Sequence, residues 1–88
     1  EELESYTIVK IVLKDIISLD RLYYRDNKSY FNILLDDSIR KWILRVRIGN
    51  NTSRIELNNE EKTVYDISSP IDIYSYSKEI IEVTKKFL

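Results

Sequence analysis

The run Tyr30-Phe31-Asn32-Ile33-Leu34-Leu35-Asp36-Asp37-Ser38-Ile39-Arg40-Lys41-Trp42-Ile43-Leu44-Arg45-Val46-Arg47-Ile48 decides how the rest of the chain is read. Taken with a period of two, it splits into two faces. Phe31, Ile33 and Leu35 point one way; Tyr30, Asn32, Leu34 and Asp36 point the other. In the second half Trp42, Leu44, Val46 and Ile48 alternate with Lys41, Ile43, Arg45 and Arg47. Alternation of this kind marks half-buried strands. Between them Asp37-Ser38-Ile39-Arg40 has the length and opening residues of a four-residue hairpin loop.

The pattern also predicts a register. Pairing Asp36 with Lys41 sets Leu35 against Trp42, Ile33 against Leu44 and Phe31 against Val46, all apolar and all on one face. Leu34 then lies beside Ile43, Asn32 beside Arg45, and Tyr30 beside Arg47 on the other. Continued across the next turn, it puts Ile48 against Ile55 and Arg47 against Glu56. A slip by one residue would mix the two sets, so the pairing is strongly specified. Phe31, Ile33, Leu35, Trp42, Leu44, Val46, Ile55, Leu57 and Val64 are expected to be buried together.

Outward from this hairpin, Leu3 to Ser18 is rich in β-branched residues, yet its polar positions settle its form. Thr7, Lys10, Lys14 and Ser18 recur at spacings of three and four and trace one side of a helix. Glu1, Glu2 and Glu4 suit that helix's positive N-terminus. The remaining apolar surface is wide, which predicts a largely buried helix. Leu22-Tyr23-Tyr24-Arg25 reads as a first short strand, Arg54-Ile55-Glu56-Leu57 as a fourth after the turn Gly49-Asn50-Asn51-Thr52-Ser53, and Lys62 to Ile67 as a fifth. Ser69-Pro70-Ile71-Asp72 has the cap, proline and acid of a helix start. Ile73, Tyr76, Ile80, Val83 and Phe87 then fall on one side of that helix. The order helix, five strands, helix predicts an α+β domain: a meandering antiparallel sheet with the N-terminal and C-terminal helices packed on one face.

Eighty-eight residues make one domain, able to bury about 60–65% of its unfolded surface without staples. The chain has no cysteine and no histidine, so no disulfide framework, thiolate nucleophile or sulfur metal site is expected. No apolar run approaches the ~18 residues of a membrane helix. The start Glu1-Glu2-Leu3, without methionine, suggests a domain cut from a longer protein, and a soluble cytoplasmic setting is the expectation. The net charge is −1, but it is unevenly spread: Arg21 to Arg54 holds eight cations and three acids, +5, which leaves −6 for the two ends.

Catalytic chemistry finds little footing. Asp36 and Asp37 are adjacent acids at a hairpin turn, where such residues satisfy the turn more often than they act as an acid/base pair. A restriction-type nuclease core needs an acid, then acid-x-lysine on the next strand, to gather metal and phosphate. Here that strand offers Lys41, Arg45 and Arg47, and no carboxylate. No catalytic residue, metal ligand or cofactor is therefore assigned. Binding has more to work with. Tyr23, Arg25, Tyr30, Asn32, Arg45, Arg47 and Arg54 should share the uncovered sheet face, where tyrosines stack bases and arginines neutralise phosphates. Tyr23, Arg25, Tyr30, Arg45, Arg47 and Arg54 are the nucleic-acid candidates. Leu34 and Ile43, adjacent in the same face, are the candidates for a protein interface.

The motif Tyr24-Arg25-Asp26-x-Lys28-Ser29-Tyr30-Phe31-x-Ile33-Leu34-Leu35-Asp36-Asp37, followed by Arg40-Lys41 and Arg45, resembles the C-terminal domain of bacterial type I restriction endonuclease-related proteins. The likeness runs over nearly all of the chain, to the closing Lys85-Lys86-Phe87-Leu88; Trp42 and Arg47 depart from it. The resemblance implies a cytoplasmic DNA-restriction context, with a restriction-subunit nuclease region lying upstream. The family's catalytic residues have no matching positions here. The expectation is a non-catalytic accessory domain that docks to the rest of the restriction protein or a partner subunit, or assists its DNA binding. A free-standing nucleic-acid-binding module and a degenerate nuclease domain are the alternatives.

Overall fold

The amphipathic N-terminal segment forms helix α1, Glu2–Leu13, in the computed structural model, which describes all residues from Glu1 to Leu88. Ser5, Ile8, Val9 and Leu13 are its buried side. The helix is shorter than the Leu3 to Ser18 span expected. The Leu13 carbonyl accepts both the Ile16 N–H at 2.9 Å and the Ile17 N–H at 3.1 Å, closing the helix in a turn that tucks Ile17 into the core. Nor is it largely buried: its apolar surface is wider than the seat beneath it, and Leu3 and Ile11 are exposed.

Five strands follow, β1 (Leu22–Asp26), β2 (Phe31–Leu35), β3 (Trp42–Ile48), β4 (Ser53–Leu57) and β5 (Val64–Ile67). They form one antiparallel sheet in the order β1-β2-β3-β4-β5. A 3-10 turn, Pro70–Tyr76, leads into helix α2, Ser77–Lys85. At its start the Asp72 carboxylate accepts the Ser68 and Ser69 N–H groups at 2.8 and 3.4 Å, satisfying donors that helix geometry leaves orphaned. Ile73, Ile80 and Val83 join Ile8, Val9 and Leu13 over Phe31, Ile33, Leu44, Val46, Ile55 and Leu57 in a single core. This is the α+β meander that the sequence predicts, with a helix from each end of the chain on one face. No helix is long and apolar enough to cross a membrane.

The expected register holds for Phe31 with Val46, Asn32 with Arg45 and Ile33 with Leu44. There a β-bulge intervenes. Leu34 pairs with Trp42, and Ile43 becomes the extra residue of β3. The local source is the turn. Asp36 and Asp37 have φ of 55° and 53°, and the Ser38 N–H donates to the Leu35 carbonyl at 2.9 Å. Positive φ at both central residues belongs to a two-residue type I′ turn, not to the four-residue loop expected at 37–40. A 3-10 turn over Ile39–Lys41 then delivers β3 one residue out of phase.

The bulge reverses two expected placements. Ile43 turns inward and is fully buried in the core, whereas Trp42 leaves the helix-covered side for the outer face. Asn58 stabilises the irregularity: its Nδ2 donates to the Trp42 carbonyl at 2.8 Å and its N–H to the Ile43 carbonyl at 3.0 Å.

Two further differences follow from pairing. Between β3 and β4, Ile48 meets Ser53 and Arg47 meets Arg54, two residues from the expected match. A shift of two leaves every side chain on its own face. The chain turns here at Gly49, where a Cβ would overlap the Thr52 carbonyl oxygen. In β5, Tyr65 pairs with Ile55 and Ile67 with Ser53, so those two face inward, and Val64, expected in the core, is exposed. Tyr65 stacks on Tyr76 with 4.0 Å between centroids. At the other edge, the Tyr6 hydroxyl donates to the Leu22 carbonyl at 2.6 Å, covering part of an edge strand that would otherwise offer itself for pairing. Burial, with Tyr24 and Tyr23 nearby, pushes the Tyr6 pKa up and keeps that hydroxyl a donor.

Candidate functional site

The sheet face turned away from the helices carries the polar set of every strand. Tyr23, Leu34 and Trp42 form one row across the ladder; Arg25, Asn32, Arg45, Glu56 and Val64 form the next; Arg47, Arg54 and Asp66 form a third. Tyr30 sits just before β2 and leans over the third row. The six nucleic-acid candidates therefore share one face, as expected.

Their partners differ sharply. Arg25 reaches Asp37, its Nε 2.9 Å from Oδ1 and its Nη2 2.7 Å from the Asp37 carbonyl. Arg47 lies 3.6 Å from Glu56, and Arg54 lies 3.2 Å from Asp66. Arg45 has no carboxylate within ion-pair distance; its guanidinium lies instead between two rings, 4.0 Å from Trp42 and 4.6 Å from Tyr30. Each ring contributes about 0.5–2 kcal/mol of cation–π attraction. That offsets a cost on the same residue, because Arg45 Nε is buried with no hydrogen-bond partner. Asn32 Oδ1, on the directly opposite residue, is also buried and unpaired. An orphan donor and an orphan acceptor thus lie on two paired residues, each costing about 1–3 kcal/mol while unmade.

Counting Arg25, Arg45, Arg47 and Arg54 against Asp37, Glu56 and Asp66, this face carries four cations and three anions, a net charge of +1. The +5 of the central segment does not gather here. Arg21 and Lys41 are spent on Asp36, at 2.8 and 3.1 Å.

Leu34 and Ile43, read as an exposed aliphatic pair, are both fully buried. Ile43 belongs to the core through the bulge, and Leu34 lies between Tyr23 and Trp42 in its row. Neither is open to a partner, and their place at the centre of the face is taken by Trp42. Trp42-Ile43-Leu44 is a run of three apolar residues, which the inserted residue accommodates; Ile33-Leu34-Leu35 is another and inserts none, so the run by itself does not mark the bulge.

Asp36 and Asp37 are structural in their contacts. The Arg21 fork bonds both Asp36 oxygens, at 2.9 and 2.8 Å, and with Lys41 holds this carboxyl well below the usual carboxylate range. A group so firmly ionised is a poor general acid or base near neutrality. The consequence is measurable. A carboxyl with a lowered folded pKa contributes stability that is present above its unfolded value, about pH 4, and is lost as pH falls through the folded one. Asn also tolerates positive φ, so Asp36→Asn keeps the turn and removes the charge. Thermal midpoints should be lower for the variant at pH 7 and converge with the parent as pH drops below about 4. Side chains 33–40% exposed are screened, so added salt should narrow the gap. Parallel curves down to pH 2 would refute the linkage.

No group of three metal-ligating side chains converges anywhere in the fold. One open groove of about 360 Å³ lies between the β4–β5 turn and α2, lined by Glu60, Glu61, Glu79 and Glu82 among others. Compared with family models, curated proteins and solved structures, the chain matches none.

Proposed function

We propose that this is a non-catalytic docking domain of a cytoplasmic restriction enzyme-like protein, meeting the rest of that protein or a partner subunit through the uncovered sheet face. The observation that carries the reading is the Trp42–Arg45–Tyr30 stack, with its centroid distances of 4.0 and 4.6 Å. An arginine immobilised between aromatic rings and ringed by satisfied ion pairs has the anatomy of an interface anchor with a polar rim. The restriction setting rests on the sequence resemblance alone.

The balance of charge on the face favours a protein partner over DNA in this reading. Three arginines placed on phosphates would release counterions with a slope of roughly −2 to −3 in log K against log salt; with Arg25, Arg47 and Arg54 held by acids, Arg45 alone on a phosphate gives about −1. The test is co-purification with the upstream nuclease region that the resemblance implies. Tyr23→Gln combined with Arg47→Gln, both at exposed positions, should weaken association at least tenfold while the far-UV spectrum shows the variant folded at the assay temperature. Undiminished association in that variant would overturn the proposal. So would a gel shift with any DNA whose salt slope reaches −2 to −3.

A further inference from the structure

The geometry points to Arg45 as the seat for one carboxylate of an acidic peptide segment in the partner. This inference rests on the docking reading above and supplies the chemistry of its central contact. Arg45 is the one arginine of the face without a carboxylate, while Arg25, Arg47 and Arg54 each hold one. Its Cζ lies 4.0 Å from the Trp42 centroid and 4.6 Å from that of Tyr30, and its Nε is buried, so the terminal Nη groups are the ones left for a ligand. A planar fork donating in its own plane is matched by a carboxylate or a phosphate oxygen pair. The rings also fix the side chain before a ligand arrives, which removes most of the ordering cost of binding.

The surroundings select between the oxyanions. Glu56 stands directly opposite Arg45 in the ladder, and Asp37 and Asp66 hold the neighbouring arginines. Arg45 is thus the one cation of the face with no acid of its own, and a polyphosphate backbone laid along it would also meet these acids. One carboxylate fits where a string of phosphates does not. Tyr23, 43% exposed, offers a ring to the residues flanking that carboxylate.

Trp42 makes the test direct. It is the only tryptophan in the chain and its ring lies 4.0 Å from the Arg45 guanidinium, so its fluorescence reports on the seat. The 88-residue chain is titrated with a blocked alternating Glu-Gly decapeptide, its Gln-Gly counterpart, a phosphoserine-Gly peptide and a ten-nucleotide oligothymidylate. A saturable change is expected with the glutamate peptide, at least tenfold weaker with the glutamine peptide and the oligonucleotide. Arg45→Gln should lose the response tenfold or more with an unaltered far-UV spectrum, and Arg45→Lys should recover only part of it. Glu56→Gln, which removes the acid facing Arg45, should tighten binding several-fold, and it serves as the readout if Arg45→Gln fails to fold. No saturation at millimolar glutamate peptide, tighter binding of the oligonucleotide or phosphopeptide, or no tightening in Glu56→Gln would overturn the assignment. Loss of this response with co-purification intact removes the seat and leaves docking standing; the converse result removes docking alone.

Discussion

Ile43→Ala is expected to lower the unfolding free energy by about 2–5 kcal/mol, the range for emptying a buried isoleucine site. For a domain of this size that is a large share of the total, since small domains begin near about 5 kcal/mol. The substitution separates two descriptions of β3. With uninterrupted alternation Ile43 lies on the solvent face, where truncation stays within about 0.5 kcal/mol. In the bulged strand it is fully buried against the helix-covered core. Ile33→Ala and Leu44→Ala set the scale, because both residues are core in either description. Urea midpoints at constant m-value provide the measurement. A loss for Ile43 well under theirs would place it outside the core. The same burial governs how interface experiments are read: Leu34→Asp or Ile43→Asp would put a carboxylate where no water reaches, and any lost association would report unfolding.

Much of the fold was legible because alternation is phase-sensitive. Phe31, Ile33, Leu44 and Val46 could not leave the core without exposing a whole face, and their pairs are as read. The bulge was harder. One inserted residue disturbs only the local ladder, and the series Trp42-Leu44-Val46-Ile48 reads as continuous alternation. The β3–β4 register was ambiguous for another reason. Arg47 attracts Glu56 whether they sit directly opposite or on the diagonal, and the observed pair is diagonal at 3.6 Å. In Val64-Tyr65-Asp66-Ile67 either phase buries something apolar, and pairing with Ile55 chose Tyr65 over Val64.

For the candidate face, residue types were readable and pairings were not. Tyr23, Tyr30, Arg45 and Arg47 announce themselves as surface aromatics and cations on one side of alternating strands. Which arginine lacks an acid depends on cross-strand distances of a few ångströms. Arg25 finds Asp37 twelve residues away only because the type I′ turn brings that carboxylate back beside β1. The central +5 segment likewise told little of the face's net charge, because Glu56 and Asp66, outside that segment, bring two acids to the face, while Arg21 and Lys41 turn to Asp36 at the hairpin end.

Asn58→Ala is expected to cost about 1–3 kcal/mol, the penalty for leaving a buried carbonyl without its donor. Asn58 is 9% exposed, and its Nδ2 is the group that reaches the Trp42 carbonyl, at 2.8 Å, where the bulge interrupts the β2–β3 ladder. Its backbone N–H still reaches the Ile43 carbonyl at 3.0 Å in the variant, and Lys86 Nζ still has the Asn58 carbonyl to bond. The bulge should therefore loosen without disappearing. Trp42 is 8% exposed in the intact protein, so a loosened strand should shift its emission to the red and raise its quenching by acrylamide. Asn58→Asp sharpens the point. It has nearly the same shape but replaces the donor by an anionic acceptor facing another acceptor. If the hydrogen bond is what matters, aspartate should destabilise more than alanine; if packing is, aspartate should be the milder change. A cost below about 0.5 kcal/mol for both, with Trp42 emission unchanged, would mean that the bulge holds its shape without Asn58.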